Sequence, residues 1–167
     1  MKLSVICRVQ RREAFETSFE PFIIHTGQHY DKDMSAVFIS ELELPDSNVD
    51  LSVSFGSHAE QTGEMMKRLE PVLTEHQTDC VRLYGDTNWT VAAALVCAKR
   101  GVPAGHVEAG LNSFNRRMPD EINRLVADHL SDFLFCSTAA AMGNLDGEGL
   151  KLPEVKGRYS AATSSIS

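Results

Sequence analysis

Residues 79–107, DCVRLYGDTNWTVAAALVCAKRGVPAGHV, contain two short apolar runs on either side of an alanine-rich stretch. The runs at 79–84 and 102–107 have the length of strands, and the stretch 88–99 has the length of a helix that ends before Gly101. Strands and helices that alternate through short connections are typical of parallel sheets in α/β proteins. This stretch therefore predicts the fold class.

The same alternation continues on both sides of this stretch. Strands are predicted at 3–7, 19–25, 50–55 and 132–136, and helices at 33–44, 57–76, 119–130 and 138–145. We expect one α/β domain at residues 1–150, a doubly wound parallel sheet with helices on both faces. Residues 151–167 are expected to form a disordered tail, because their end is rich in Ser, Ala and Thr and shows no pattern of buried positions.

Two helix starts carry clear signals. Ser57 and Glu60 have the spacing of a capping box, and Pro119 fits the first position of a helix. The helix that begins after Ser57 has apolar residues at helical spacing, which predicts a buried stripe formed by Met65, Leu69, Val72 and Leu73.

Composition narrows the possible classes of protein. The chain has 167 residues, a formal net charge of -7 and no long basic run, which argues against nucleic acid as a partner. Its apolar runs are far shorter than the roughly 20 residues that span a bilayer, and its N-terminus has no apolar stretch of signal-peptide length, so we expect no membrane association and a cytoplasmic location. The four cysteines form no CxxC pair and lie in apolar runs, which predicts buried free thiols.

Acidic residues follow the predicted strands or open a predicted helix. Asp86 and Glu108 each follow a strand, and Asp120 and Glu121 lie in the first turn of the helix that starts at Pro119. Because ligands of parallel sheets bind at the carboxyl ends of the strands, these carboxylates suggest acid/base chemistry on a small polar substrate.

Structural explanations exist for the same residues. Asp86 could cap a helix, Asp120 and Glu121 could complement a helix dipole, and Arg124 could pair with Asp120 one turn away. Glu108 ends an apolar strand, where an unpaired buried carboxylate is costly, so we expect it to be functional or ion-paired.

Four nearby residues are interpreted structurally. His106 begins the segment that leads to Glu108 and is expected to be a core histidine with its hydrogen bonds satisfied. Asp128 and His129 suggest a charge pair near the end of a helix, and Gly110 is expected to allow a tight turn.

Five segments, in this order, resemble the N-terminal domain of the non-hydrolysing UDP-N-acetylglucosamine 2-epimerases. The resemblance covers roughly residues 19–150, and its specificity comes from the order and spacing of the segments rather than from any one of them. The segments are TGQHY at 26–30, GSHAEQTG at 56–63, YGDTN at 84–88, HVEAGL at 106–111 and RRMPDEINR at 116–124.

This resemblance implies a fold, a reaction and a set of site residues. The fold is GT-B, in which two Rossmann-like domains enclose a UDP-sugar, and the reaction interconverts UDP-N-acetylglucosamine and UDP-N-acetylmannosamine by elimination and re-addition of UDP. No metal or other cofactor is implied. The family pattern at the third carboxylate site is Pro-Glu-Glu, so that Asp120 stands for its first glutamate and either Asp120 or Glu121 could act. The implied catalytic residues are Asp86, Glu108, Asp120 and Glu121, and the implied substrate-binding residues are Arg124, Gln28, His29 and Gln61.

The sequence departs from the family pattern in two places. The glycine-containing loop that lies by the diphosphate after the first strand is replaced by residues 7–15, where only Arg8, Arg11 or Arg12 could offer charge. The resemblance also stops near residue 150, before the C-terminal domain with its uridine site and catalytic histidine. We therefore expect the chain to be weakly active or inactive alone.

Two alternative functions share these residues. One is a hydrolysing relative that releases free N-acetylmannosamine, and the other is a non-catalytic partner subunit. For either, we expect a homo-oligomer or association with a full-length epimerase, because the surface that faces a second domain should be apolar. A nicotinamide-dependent dehydrogenase is excluded by the lack of a Gly-x-Gly-x-x-Gly segment after the first strand.

Overall fold

The computed structural model describes residues 4–12, 16–25, 48–53, 56–150 and 158–160, with side chains described for 22–24, 48–53 and 56–150. Strands and helices alternate over most of this length. In chain order they are β1 (Ser4–Arg12), β2 (Glu16–His25), β3 (Val49–Asp50), α1 (His58–Glu75), β4 (Cys80–Tyr84), α2 (Asn88–Arg100), β5 (Ala104–Val107), α3 (Pro119–Leu130), β6 (Phe133–Cys136), α4 (Ala139–Gly147) and β7 (Arg158–Ser160). The helix predicted at 33–44 lies outside the described residues.

All the described strands belong to one sheet, in the order β3-β2-β1-β4-β5-β6-β7. Strands β4 to β7 are parallel neighbours, and β2 is parallel to β3. The predicted α/β class with a Rossmann-like sheet is therefore confirmed, and the carboxyl ends of β4, β5 and β6 lie side by side at one edge.

The first strand departs from the predicted parallel arrangement. β1 pairs antiparallel with both β2 and β4. Only residues 13–15 join β1 to β2, whereas a crossover between parallel strands needs about a dozen residues or more, so a hairpin is the connection that this length permits. Arg8, Arg11 and Arg12 consequently belong to a strand and not to a loop.

The described helices cover one face of the sheet. Val81 and Leu83 share this face with Ala104 and form a core with α1, α2 and α3. Leu134 and Cys136 on β6 lie on the same face and form a smaller core with α4.

Local sequence signals agree with the observed helix ends. Ser57 Oγ accepts a hydrogen bond from Glu60 N at 3.3 Å, while Ser57 N donates to Glu60 Oε2 at 2.7 Å, so the predicted capping box is present. Gly101 ends α2 with a φ of 68°, and Pro119 is the first residue of α3. The predicted stripe of α1 is buried at Met65, Leu69 and Leu73 and partly buried at Val72.

One described segment lies within the predicted tail. β7 at Arg158–Ser160 pairs in parallel with β6. A strand at this position satisfies backbone hydrogen-bonding groups that β6 would otherwise leave open at the edge of the sheet.

Cysteine burial agrees with the prediction of free thiols where side chains are described. Cys97 and Cys136 are buried and Cys80 is partly buried, and none of these three forms a disulfide. Burial, with smaller contributions from Asp132 and Cys80, raises the pKa of Cys97 to about 12.

Within the described ranges, no helix has the length and apolar character needed to cross a membrane.

Candidate active site

The carboxyl ends of β4 and β5 carry the first two predicted carboxylates. Asp86 follows β4 after Gly85, and Glu108 is the residue directly after β5. The first turns of α3 approach the same edge, because Asn123 Nδ2 donates to the backbone oxygen of Asp86 at 3.1 Å. The sheet and α3 therefore bring the segments of all three predicted carboxylate sites to one region.

Glu108 is exposed, which corrects the expectation of a buried carboxylate at the end of β5. Its φ is 73°, in the left-handed region that non-glycine residues seldom occupy. The side chain reaches solvent at this turn, although Ala109, the next residue, is buried and its backbone nitrogen donates to Phe135 O at 3.2 Å. Backbone strain of this kind costs on the order of 1–2 kcal/mol and is often found at functional positions.

Asp120 and Glu121 differ sharply although they are neighbours. Asp120 is exposed, whereas Glu121 is 4% exposed. Glu121 Oε2 accepts hydrogen bonds from both the backbone nitrogen and the hydroxyl of Ser113 at 2.8 Å, and Oε1 accepts from Phe114 N at 3.1 Å. Arg124 Nη2 completes these contacts with an ion pair to Glu121 Oε2.

These contacts determine the protonation of Glu121. Burial alone would raise the pKa of its carboxyl, but the hydrogen bonds from Arg124 and Ser113 and the charge of Arg124 outweigh burial and lower the pKa to about 2. Glu121 is therefore a permanently charged anchor for residues 113–114 near neutral pH.

Arg124 is the buried cation of this region, and it does not pair with Asp120 as its spacing allowed. While Nη2 of Arg124 contacts Glu121, Nη1 donates to Asn112 Oδ1 at 2.7 Å and lies 3.5 Å from Asp128 Oδ2. With 2% of the residue exposed, Arg124 is directed into the protein and holds the loop between β5 and α3.

Polar side chains from three helix starts meet beside Asp86. Asn88 Nδ2 donates to Gln61 Oε1 at 2.9 Å and lies at the same distance from His58 Nδ1, and Asn123 Nδ2 donates to Asn88 Oδ1 at 3.3 Å. An adjoining cavity of about 630 Å³ is lined by residues of α1, α2 and α3, including His58, Asn88 and Asn123. The predicted residue Gln61 therefore lies in a hydrogen-bonded cluster at a cavity of ligand size.

The buried histidine of this region behaves as predicted. His106 is completely buried, with Nδ1 2.6 Å from Asp128 Oδ1 and Nε2 2.7 Å from the carbonyl oxygen of Gly85. Asp128 Oδ2 also accepts from Gly110 N at 3.1 Å. The suggested pairing of Asp128 with His129 is wrong, because His129 Nδ1 contacts Leu125 O on its own helix at 2.9 Å while Asp128 points into the core.

Gly110 is the tightest point of the β5–α3 loop. Its φ is 72°, and a Cβ atom built at this position would lie 2.3 Å from the backbone oxygen of Ala141. The predicted turn is therefore accompanied by close packing of the loop against α4, which only glycine permits.

Substitution of Gly110 by alanine should destabilise the protein by roughly 3 kcal/mol, because left-handed strain and a backbone clash add together. Gly101→Ala is the matched control, since Gly101 has a φ of 68° with no atom within 4 Å of its built Cβ atom. That variant should lose only about 1 kcal/mol. Urea unfolding of both variants measures the difference, and equal losses would show that the contact with Ala141 is easily relieved.

Two residues of the site were not singled out from the sequence. Asn88 and Asn123 are held in the site by side-chain hydrogen bonds to partners 27 to 37 positions away. A polar residue within a recognisable segment is the only sequence signal for them, whereas their contacts depend on the packing of separate elements. The predicted residues Gln28 and His29 lie outside the described residues.

Exposed apolar side chains are concentrated next to this site. Among the residues whose side chains are described, the large hydrophobic residues with more than two fifths of their surface exposed fall between positions 111 and 122: Leu111, Phe114, Met118 and Ile122. Across the described ranges, no group of three or more His, Cys, Asp or Glu residues has an arrangement that could hold a metal ion.

Comparison with known proteins gives the family. The model of the UDP-N-acetylglucosamine 2-epimerase family matches residues 11–156. The chain belongs to this epimerase family. The match begins in β1 and includes all the carboxylates described above.

Epimerases and an epimerase homolog from archaea and bacteria are among the similar relatives. A UDP-N-acetylglucosamine 2-epimerase homolog of Methanococcus maripaludis is 48% identical over 90% of this chain and 41% of its own length. The UDP-2,3-diacetamido-2,3-dideoxy-D-glucuronate 2-epimerase of Pseudomonas aeruginosa is 43% identical over 84% of this chain and 40% of its own length. The chain thus spans about 40% of the length of these epimerases.

Solved epimerase structures have the same fold. The crystal structure of Methanocaldococcus jannaschii UDP-GlcNAc 2-epimerase in complex with UDP-GlcNAc and UDP matches with a TM-score of 0.76 and 45% identity over 82% of this chain and 37% of that one. The Neisseria meningitidis epimerase bound to UDP-GlcNAc matches with a TM-score of 0.73 and 31% identity, over 83% of this chain and 38% of that one.

Proposed function

We propose that this chain forms the carboxylate-bearing half of a UDP-sugar 2-epimerase site, with UDP-N-acetylglucosamine as substrate and UDP-N-acetylmannosamine as product. The observation that carries the proposal is the difference in exposure between carboxylates at one edge of the sheet. Glu108 and Asp120 are exposed, while the neighbouring Glu121 is locked to Arg124 and Ser113. Family membership supports this choice of substrate class.

The reaction requires carboxylates that can exchange protons. In the forward elimination the C2–H bond breaks, its electron pair forms a C1–C2 double bond, and the C1–O bond breaks so that UDP leaves with that bond's electrons. A carboxylate accepts the C2 proton, and a second one stabilises positive charge that develops at C1. Re-addition of UDP to C1 with delivery of a proton to the opposite face of C2 gives the epimer, so groups on both sides of the ring are required.

Asp120, and not Glu121, is proposed as the acting carboxylate of the third site. Glu121 has both oxygens engaged and a pKa of about 2, so it is unsuited to proton transfer near neutral pH. Asp120 is exposed and has no hydrogen-bond or ion-pair partner among the described residues. With Asp86 and Glu108 it forms the proposed catalytic set.

The remaining predicted residues are assigned supporting roles. Arg124 is buried between carboxylates, so we assign it to holding the β5–α3 loop and not to direct contact with the sugar. Gln61 accepts a hydrogen bond from Asn88, which lines the cavity at the starts of α1, α2 and α3, and is proposed as a substrate-side residue together with Gln28 and His29. The exposed apolar residues at 111–122 are proposed to face a second domain or a second subunit.

A second substrate is favoured by one comparison. The Pseudomonas aeruginosa relative, which is 43% identical, epimerises a UDP-2,3-diacetamido uronate. The same C2 chemistry would apply to that sugar, because the acidic proton and the leaving UDP are the same. Discrimination between the two sugars would depend on contacts to the C3 and C6 substituents.

The test measures proton exchange at C2. The 167-residue chain would be incubated in D₂O with UDP-N-acetylglucosamine or the diacetamido uronate, alone and with the separately expressed C-terminal half of the Methanocaldococcus jannaschii epimerase, and followed by NMR. We expect little exchange by the chain alone, because it spans about 40% of its relatives, and deuterium at C2 with formation of the epimer when the second half is present.

The products of this experiment distinguish the proposed epimerase from the alternative functions. Free N-acetylmannosamine with UDP would indicate a hydrolysing enzyme. Exchange by the isolated chain would contradict the need for a second half. No exchange with either sugar, although calorimetry shows that the two halves bind each other, would overturn the proposal in favour of a non-catalytic subunit.

A further inference from the structure

His106 and Asp128 form a buried pair that the proposed proton transfers do not use. The residues are 0% and 1% exposed, and they lie on β5 and in the third turn of α3. We propose that they are positioning residues, which together fix the loop that carries Asp86 relative to the loop that carries Glu108. This inference rests on the proposed function of those two carboxylates.

The histidine ring links the first loop to α3. Its Nε2 lies 2.7 Å from the carbonyl oxygen of Gly85, and because a carbonyl only accepts hydrogen bonds, Nε2 carries the proton of that contact. Gly85 is the residue before Asp86. On the other side, Nδ1 lies 2.6 Å from Asp128 Oδ1, so one more proton lies in the contact between ring and carboxyl. The ring therefore spans the distance between the Asp86 loop and α3 with a hydrogen bond at each end.

The aspartate links α3 to the second loop. Asp128 Oδ2 accepts from Gly110 N at 3.1 Å, two residues beyond Glu108. The same loop is held from the sheet side by Gly85 N, which donates to Val107 O at 3.3 Å, and by Ala109 N, which donates to Phe135 O at 3.2 Å. The backbone on both sides of Glu108 is thus fixed, while its side chain remains exposed.

The pair of His106 and Asp128, called the brace below, is polar and buried. The charged groups around it explain why it is stable in this position. Arg124 Nη1 lies 3.5 Å from Asp128 Oδ2, and Arg124 Nη2 pairs with Glu121. Burial of these charges would be costly for any one of them alone, but each has a partner of opposite charge or a hydrogen-bond donor. The brace is therefore part of a network of paired charges that connects β4, β5 and α3.

Substitutions of Asp128 and His106 can remove the contacts of the brace together or one at a time. Asp128→Asn retains an acceptor for Gly110 N and offers an N–H to the unprotonated Nδ1 of His106, so the geometry should survive. Asp128→Ala removes both links. His106→Gln can retain only the contact with Gly85, and His106→Asn only the contact with Asp128.

The experiment uses the chain together with the C-terminal half of the Methanocaldococcus jannaschii epimerase and measures deuterium exchange at C2 of UDP-N-acetylglucosamine. We expect Asp128→Ala to lower kcat about 100-fold with little change in KM, because small displacements of catalytic groups cost about this much, and Asp128→Asn to recover most of the loss. His129→Gln is the matched control, since among the described residues its ring bonds to its own helix. The kcat of this variant should match that of the parent chain. Equal losses for Asp128→Asn and Asp128→Ala, or a parent-like kcat for Asp128→Ala, would overturn the proposal.

A second readout keeps this result distinct from the test of function. In the isolated chain, NMR gives the amide shifts of Gly85 and Gly110 and the carboxyl titrations of Asp86 and Glu108. If the brace positions these loops, Asp128→Ala changes both amides and both titrations, and Asp128→Asn restores them, even if no exchange at C2 is detected with any variant. Unchanged titrations in a folded Asp128→Ala or His106→Gln variant would overturn the brace independently of the proposed reaction.

Discussion

Replacement of Arg124 by methionine is expected to destabilise the protein by about 3–5 kcal/mol at pH 7. Methionine retains much of the volume of the side chain, so the loss comes mainly from the buried carboxylates of Glu121 and Asp128, which would lose their cation. Urea unfolding measures the effect. Arg100→Met is the matched control, because Arg100 forms an exposed pair with Glu70 at 3.8 Å and should contribute less than about 1 kcal/mol.

The pH dependence of this effect has a defined sign. The pKa of Glu121 is about 2 in the folded protein, below the ordinary value of 4.5 that applies to the unfolded chain. Its contribution to stability is therefore fully present above pH 4.5 and is lost as the pH falls towards 2. The difference in unfolding free energy between the parent chain and Arg124→Met should shrink over this interval. A difference that stays constant from pH 5 to pH 2 would contradict the assignment of Glu121 as the partner of Arg124.

Replacement of Glu108 by glycine is expected to separate activity from stability. The substitution removes a proposed catalytic carboxylate, so turnover by the chain with its complementing half should fall by about 10²–10⁴-fold. It also relieves a φ of 73°, so the unfolding free energy should rise by about 1 kcal/mol. Exchange at C2 and urea unfolding of the same preparation measure the two effects.

Two further variants serve as controls, because turnover is expected to fall while the unfolding free energy rises. Glu108→Gln removes the charge and retains the strain, so it should lose turnover without gaining stability. Gln77→Gly relieves a φ of 47° after the end of α1, far along the chain from the carboxylates, and should gain about as much stability with parent-like turnover. A loss of stability in Glu108→Gly would show that its backbone conformation carries no strain.

Most of the elements of the sheet and its helices could be predicted from local patterns. The capping box at Ser57, the glycine at 101 and the proline at 119 mark helix ends through interactions within a few residues, and the helix ends lie where these signals indicate. The direction of β1 was not predicted, although the length of the connection to β2 permits only a hairpin.

For the candidate site, the sequence was sufficient to place Asp86 and Glu108 at one edge, because parallel strands end side by side. The environments of Glu108 and Glu121, and the partner of Asp128, depend on contacts between elements that are distant in the chain. Glu121 and Asp120 are adjacent and chemically alike, yet a rotation of about 100° around α3 buries one against Arg124 and exposes the other. Burial and hydrogen bonding set the protonation of a carboxylate, and both arise only when the β5–α3 loop packs against the helix.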